Sequence, residues 1–337
     1  MHKDTVSVHF VSAAVARLSA DARRRVLADV GIASEWLDEP RARVPAQAFS
    51  ALWLAVAREI DDEFFGLDRR RMKVGSFALL CHAVLPCETL GHAVRQMLRG
   101  FGTFLDDVQA TLHVDGTDAV ITIDNRIADA DANRFADETL LVMVHGLMCW
   151  LAGRRISLRV ADFACPRPAY AAEYVTMFCK QLHFDVGATS VRFDAQSLAA
   201  APVQNAATLK TFLRTAPQSV FLKYRNEAGW AARVRRRMRR SVGQPSWPVL
   251  EELALEFHVA PTTLRRRLDA EGTSVQEIKD HLRRDIAIHH LCSTQLGIAE
   301  IGSLLGFQEP SAFYRAFKRW NGVRPGEYRQ RRTLAGA

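Results

Sequence analysis

The sequence predicts an α+β protein, mostly helical, with an N-terminal mixed α/β domain followed by an all-α domain in which two helix-turn-helix units are joined by a linker helix. Three observations carry this reading. Apolar residues recur at helical spacing through most of the chain. The period drops to two in short stretches between residues 111 and 194. After Val249, a short amphipathic helix, a turn and a second helix with a basic outer face occur twice. The expected division is 1–216, a linker over 217–229, and 230–332.

A chain of 337 residues suits two domains, and 48% hydrophobic with 24% charged residues is a globular balance that argues against a disordered or membrane-embedded class. The net charge of +8 is uneven: from Pro217 onward there are 21 Lys+Arg against 12 Asp+Glu, and before it 24 against 25. A neutral domain thus carries a basic one, the electrostatic footprint of a phosphate-binding module. Met1-His-Lys-Asp-Thr-Val lacks the basic-then-apolar layout of a signal peptide. The longest apolar run, Leu140 to Leu151, is broken by His145 and Gly146 and is too short for a bilayer. A cytoplasmic protein without membrane contact is the expectation. Cys81, Cys87, Cys149, Cys165, Cys179 and Cys292 form no Cys-x-x-Cys pair and no Cys/His cluster, so buried thiols are expected rather than disulfides or a metal site.

In chain order, Val6 to Leu18 has helical periodicity, and Arg41-Ala-Arg-Val-Pro45 reads as a connector. Ala46 to Ile60 is a helix with Phe49, Leu52, Trp53 and Val56 on its apolar face, and Glu88 to Phe104 is another, with Leu90, Val94, Met97, Leu98 and Phe101. Thr111-Leu-His-Val, the turn Asp115-Gly116-Thr-Asp118, and Ala119 to Ile123 predict a β-hairpin. Asp131 to Ala152, apolar nearly all round in its second half, is a buried central helix stopped at Gly153. A strand over Ile156 to Phe163, a helix over Ala171 to Leu182, a short strand at Val191 to Asp194 and a small helix over Asn205 to Leu213 complete this part.

Trp230 to Val242 is a helix with Trp230, Val234, Met238 and Val242 on one stripe and six arginines elsewhere: Arg233, Arg235, Arg236, Arg237, Arg239 and Arg240. Two readings of these arginines stand open, phosphate contacts or a solvated face. The first reader unit then runs from Val249 to Phe257, turns at His258-Val259-Ala260, and continues from Pro261 to Glu271 with Leu264 and Leu268 inward and Thr262, Arg265 and Arg266 outward. Ser274-Val-Gln-Glu277 is a capping box for a helix striped by Val275, Ile278, Leu282 and Ile286. At 1.5 Å per residue its about seventeen residues span roughly 25 Å. With the flanking helices added, two recognition helices would lie about one duplex turn, ~34 Å, apart.

The second unit is clearer. Ile298, Ile301 and Leu305 fall on one helical face and Gly306 ends that helix. Pro310 starts the next, where Phe313, Phe317 and Trp320 dock one side and Ser311, Arg315 and Lys318 face the other. Asn321-Gly322 closes it, and Pro325 begins a last helical turn through Tyr328.

This stretch resembles the DNA-binding domain of the AraC/XylS transcriptional regulators, in Gly306-Phe307, Ser311-Ala-Phe-Tyr-Arg315-Ala-Phe317-Lys318, Gly322 and Pro325-Gly-Glu-Tyr-Arg329. In such proteins the outer face of each second helix reads bases. The resemblance therefore points to Thr262, Arg265 and Arg266, then to Ser311, Ala312 and Arg315, with Lys318 on phosphate and Thr263, Tyr314 and Arg319 flanking the faces. Two residues depart from the family pattern: His258 stands where glycine is usual, and Gly302 where an alanine usually packs. The first two hundred residues also resemble the arabinose-binding-like sensor domain of one subgroup, in Arg41-x-Arg-Val-Pro45, Gly66-Leu67, Thr89-Leu-x-x-Ala93 and Asp162-Phe-x-x-Pro-Arg-Pro168. That implies a small-molecule effector or dimerisation, without naming pocket residues.

Each candidate has a bland counterpart. A guanidinium bonds both acceptors of guanine, but Arg265 can instead pair with Asp269, and Arg315 with Glu309. His145 in a buried helix is a core histidine before it is an anion ligand. Arg95, Arg126 and Arg134 are carboxylate partners or surface residues; Phe77, Met97, Phe101, Met143 and Trp150 line a pocket or pack the core. No Gly-x-Ser-x-Gly, phosphate loop, His-Glu-x-x-His or dinucleotide fingerprint is present, so no enzyme and no cofactor is implied. The expectation is a sequence-specific regulator that binds double-stranded promoter or operator DNA as a homodimer, responds to a small-molecule effector and can contact RNA polymerase. The alternatives are a non-specific architectural DNA-binding protein and a DNA-modifying enzyme with a fused reader.

Overall fold

The computed structural model of the chain describes residues 5–221, 229–271 and 273–333. It opens with β1 (Thr5–Ser7) and α1 (Val8–Val15), followed by α2 (Ala20–Asp29), β2 (Arg43–Pro45), α3 (Ala46–Ile60), α4 (Ser76–Val84) and α5 (Leu90–Phe104). The hairpin β3 (Val108–Asp115) and β4 (Asp118–Asn125) leads to α6 (Ala130–Leu151), β5 (Leu158–Asp162), α7 (Ala172–Met177), β6 (Leu182–His183), β7 (Thr189–Asp194), α8 (Ala206–Thr215) and α9 (Gln218–Phe221). The remainder is helical: α10 (Trp230–Arg239), α11 (Leu250–Glu256), α12 (Pro261–Ala270), α13 (Val275–Ser293), α14 (Ile298–Leu304), α15 (Pro310–Asn321) and α16 (Pro325–Thr333).

Two compact units form. The larger comprises Phe10–Val26 and Ser50–Arg225; the smaller comprises Met1–His9, Leu27–Phe49 and Asn226–Ala337. This differs from a single cut near residue 216, because two early segments pack with the C-terminal helices. Most of the expected linker, residues 222–228, lies outside the described residues.

In the larger unit the five-stranded sheet has the order β3-β4-β7-β5-β6, antiparallel except for the β5–β6 edge pair. The hairpin register pairs Asp115 with Asp118 and Val108 with Asn125, as the turn residues predict. α5 starts where the Thr89 side chain accepts from the His92 amide, and its buried stripe packs on β3. α6 is the core: every residue from Phe135 to Leu151 is buried, and Trp150 stacks on Phe212 with centroids 4.5 Å apart. The expected helix over Ala171 to Leu182 is shorter. Phe178 leaves helical geometry to bury its ring against Phe163 and Tyr174, and Leu182–His183 then joins β5 in parallel. α2 and α4 were not expected from the sequence.

The expected helix over Val6 to Leu18 begins later, at Val8, and ends at Val15. Residues 5–7 are a strand, paired antiparallel with the stretch read as a connector, in the register Thr5 to Pro45, Val6 to Val44 and Ser7 to Arg43. Burial of Val6 and Val44 and the bonds from the Arg43 guanidinium to Thr5 hold it extended. Around this pair Trp36 lies against Tyr328, centroids 4.8 Å apart, and α10 and α16 pack on α13.

Candidate nucleic-acid interface

The first reader unit begins with the Val249 amide donating to the Glu252 carboxylate at 3.1 Å, which satisfies an otherwise orphaned donor at the start of α11. α11 buries Leu253 and Ala254. The chain turns at His258, whose φ of 55° lies in the left-handed region that glycine adopts without steric cost. Pro261 occupies the first turn of α12, Leu264 and Leu268 are buried, and Thr262, Arg265 and Arg266 are exposed with Thr263 half-buried. Among the described residues neither Arg265 nor Arg266 makes a hydrogen bond or ion pair, so Asp269 does not neutralise the first.

The second unit repeats the plan. The Gly297 amide donates to Glu300 at 2.5 Å at the head of α14. Gly306 turns the chain with φ 73°, and a side chain there would meet Trp247 at 2.9 Å, so the position is closed to other residues twice over. Gly302 faces Phe313 so closely that an added Cβ would sit 3.2 Å from the Phe313 Cβ. The departure from alanine therefore lets α14 and α15 approach more tightly. α15 buries Phe313 and Phe317 while Trp320 is half-buried beside Phe307. Ser311, Tyr314, Arg315, Lys318 and Arg319 are exposed, and Ala312 is half-buried. Among the described residues, Arg315, Lys318 and Arg319 form no ion pair, Glu309 included.

What joins the two units was only partly legible. Besides α13, the segment 243–248 reaches from the end of α10 to the second turn: the Gly243 amide donates to Leu304 O at 2.8 Å, and Gln308 Nε2 to Pro245 O at 2.8 Å. Arg283 of α13 stacks over both Trp247 and Phe307, 5.2 and 4.6 Å from their ring centroids, and donates to Gly306 O at 3.2 Å. A tryptophan set between Pro245 and Pro248 was the available signal for this brace.

The arginine run of α10 divides by environment. Arg235 is buried, 3.8 Å from the Asp285 carboxylate. Arg233 lies over the rings of Trp230 and Phe257 at 4.2 and 4.7 Å, and Arg237 bonds Glu256 at 2.5 Å. Arg267 also lies over the Trp230 ring, at 4.3 Å. The Glu271 carboxylate, at the end of α12, accepts from the Trp230 and Ala231 amides at 2.8 and 2.9 Å and so caps α10. Neither phosphate contact nor a solvated face describes the whole run, because Arg233, Arg235 and Arg237 bind protein.

In the larger unit His145 is a core histidine, its Nε2 2.7 Å from Ile156 O. Arg134 donates to the Tyr170 hydroxyl at 2.8 Å and to Asp131 at 2.6 Å, and Arg126 donates to Asp106 O. Tyr170 and Tyr174 in turn donate to Glu138, whose carboxyl burial pushes up to about 7. Burial likewise raises Asp62, Glu63 and Asp137. Met97, Phe101 and Trp150 are core residues, whereas Phe77 and Met143 border a cavity. No group of His, Cys, Asp and Glu among the described residues has a metal-binding arrangement.

Residues 22–202 match the family described as the arabinose-binding domain of AraC transcription regulator, N-term, and residues 253–331 match a helix-turn-helix domain. The chain is 28% identical over 310 residues, 91% of each chain, to the ornithine utilization regulator of Pseudomonas aeruginosa. It is 30% identical over 320 residues, 91% of this chain and 90% of the other, to an uncharacterized HTH-type transcriptional regulator of Mycobacterium tuberculosis. It is also similar to the crystal structure of transcriptional regulator CdpR from Pseudomonas aeruginosa, at 20% identity over 96% of both chains with a TM-score of 0.33.

Proposed function

The chain belongs to the AraC family of transcription regulators, and on that premise we propose that it sets α12 and α15 into two successive major grooves of a promoter and alters transcription when a small molecule binds its larger unit. It is a DNA-binding transcription regulator and not an enzyme. One observation carries the two-groove reading. The smaller unit commits Arg233, Arg235, Arg237, Arg267 and Arg283 to rings and carboxylates of the protein, yet leaves Arg265, Arg266, Arg315, Lys318 and Arg319 exposed and unpaired among the described residues. Free cations on the outer faces of two docked helices are what a polyanion requires.

In this reading Arg265, Arg266 and Arg315 bond guanine edges, and Thr262, Ser311 and Ala312 offer hydroxyl or methyl contacts. Lys318 meets phosphate, with Thr263 and Arg319 beside the faces. The expected division into a sensing region through about 216, a linker to 229 and a reader to 332 is retained as a functional one. The reading extends to a homodimer acting in the cytoplasm and contacting RNA polymerase; among the described residues no helix is long and apolar enough to cross a membrane.

A competition gel shift tests it. After a binding site is selected from random DNA, unlabelled site should displace the complex at far lower concentration than the same DNA with its bases scrambled. Equal displacement by both would favour the architectural reading instead.

A further inference from the structure

We propose that the larger unit holds a small amphipathic monocarboxylate in the cavity that α3 and α4 form with the Leu213–Val220 segment, the acid's head on Arg58 and its hydrocarbon body inside. The proposal rests on the reading that this unit senses a small molecule, and it names the class of that molecule and its site.

The cavity has a volume of about 210 Å³. Its walls are hydrocarbon and ring: Trp53 on α3, Phe77 on α4, Met143 on α6, and Leu213 and Val220 opposite. The polar edge of Trp53 is turned away, its Nε1 donating to Glu63 O at 3.1 Å. At the mouth two apolar side chains, Leu54 and Val74, stand 40% and 49% exposed, which is the surface an entering hydrocarbon would cover.

Two charged side chains line this space, Arg58 and Glu63. Both oxygens of Glu63 are already engaged, accepting from the Gly75 and Phe77 amides at 2.8 Å each. Arg58, by contrast, forms no hydrogen bond or ion pair among the described residues. The unmet demand of the site is therefore for an anion, and a guanidinium matches a carboxylate in two parallel bonds. A ligand ammonium would have to share a Glu63 carboxylate that already accepts two amides and would be repelled by the unpaired Arg58, and a neutral ligand would leave the guanidinium unused. At ~30 Å³ for each water displaced, the volume holds about seven waters, which suits an acid of about six to eight carbons.

Isothermal titration calorimetry on the full-length protein decides the matter, with hexanoate, octanoate and phenylacetate as acids, and hexanamide and hexylammonium as controls. At least one acid should bind at least tenfold more tightly than either control. Arg58→Gln, at an exposed position and checked by its melting point, should weaken that acid at least tenfold and leave hexanamide unchanged. Ala78→Leu, which narrows the cavity, should weaken acid and amide together. No binding by any acid, equal binding by the amide, tighter binding by hexylammonium, or indifference to Arg58→Gln each overturns the proposal. Gel shifts on selected DNA, with and without the acid, separate the two readings. Binding that depends on Arg58 but leaves DNA affinity unchanged supports the site and sinks the effector role. If the acids fail to bind while another metabolite changes DNA affinity, the effector reading stands without this site.

Discussion

Thr5 and Asp285, 280 residues apart in sequence, are joined by a buried hydrogen bond in which the threonine hydroxyl donates to the carboxylate at 3.1 Å. The same hydroxyl accepts from Arg43 Nε at 2.9 Å, while Arg235 and Arg284 approach the Asp285 carboxylate at 3.8 and 3.6 Å. Strand β1 thereby becomes part of the packing of α13, the helix that joins the two reader units.

Asp285→Asn should consequently destabilise the smaller unit well beyond an ordinary surface change. Removing one partner from a buried ionic cluster costs about 3 to 5 kcal/mol, because the charges left behind stay desolvated. Thr5→Val, which removes one hydroxyl, should cost about 1 to 3 kcal/mol. Urea unfolding of each variant measures both; a loss within about 0.5 kcal/mol for Asp285→Asn would mean that the cluster contributes nothing.

His258→Gly should stabilise the protein. The histidine holds a left-handed φ of 55°, a conformation that costs a non-glycine residue about 1 to 3 kcal/mol, whereas glycine in the unfolded chain gives back up to about 1 kcal/mol of entropy. The net gain, about 1 kcal/mol, should appear as a higher melting temperature with DNA affinity retained. A lower melting temperature would mean that the imidazole makes a compensating contact.

The buried Glu138 predicts a pH dependence of defined sign. Burial raises its carboxyl to about 7, against hydrogen bonds from Tyr174 and Tyr170 and the nearby Arg134, so the folded state binds this proton more tightly than the unfolded chain does. The associated stability is present below the unfolded carboxylate range and is lost as the pH rises through about 7. Asp62, Glu63 and Asp137 act in the same direction. Glu138→Gln should flatten only part of this fall: relative to the parent, its melting temperature should improve between pH 5 and pH 8. An unchanged difference between the two proteins across that range would contradict the assignment.

These contacts also mark where sequence reading stops. The face of α15 was legible because the 100° step between residues is a local property: docking by Phe313 and Phe317 forces Arg315 and Lys318 outward. The long buried helix α6 and the amphipathic α3 announced themselves in the same way. The three-residue strand β1 did not, since Val6 and Phe10 share a helical spacing and its partner Val44 is set by tertiary packing. Nor did the fates of Arg233 and Arg235, which depend on Phe257 and Asp285 far along the chain.

Lys318→Ala should weaken binding about equally on every DNA sequence and reduce the slope of log affinity against log salt by about 1, the signature of one lost phosphate contact. An unchanged slope would place Lys318 away from the backbone.

The central claim is that α12 and α15 each read their own groove, and the most direct measurement is the affinity of the parent, Arg266→Ala and Arg315→Ala proteins for every single-base variant of a selected site. Each substitution should cost about 1 to 3 kcal/mol on the best site and erase discrimination at one base pair, the two positions lying about one helical turn, ~10 base pairs, apart. A loss spread evenly over all sequences, or one shared position for both arginines, would contradict the account.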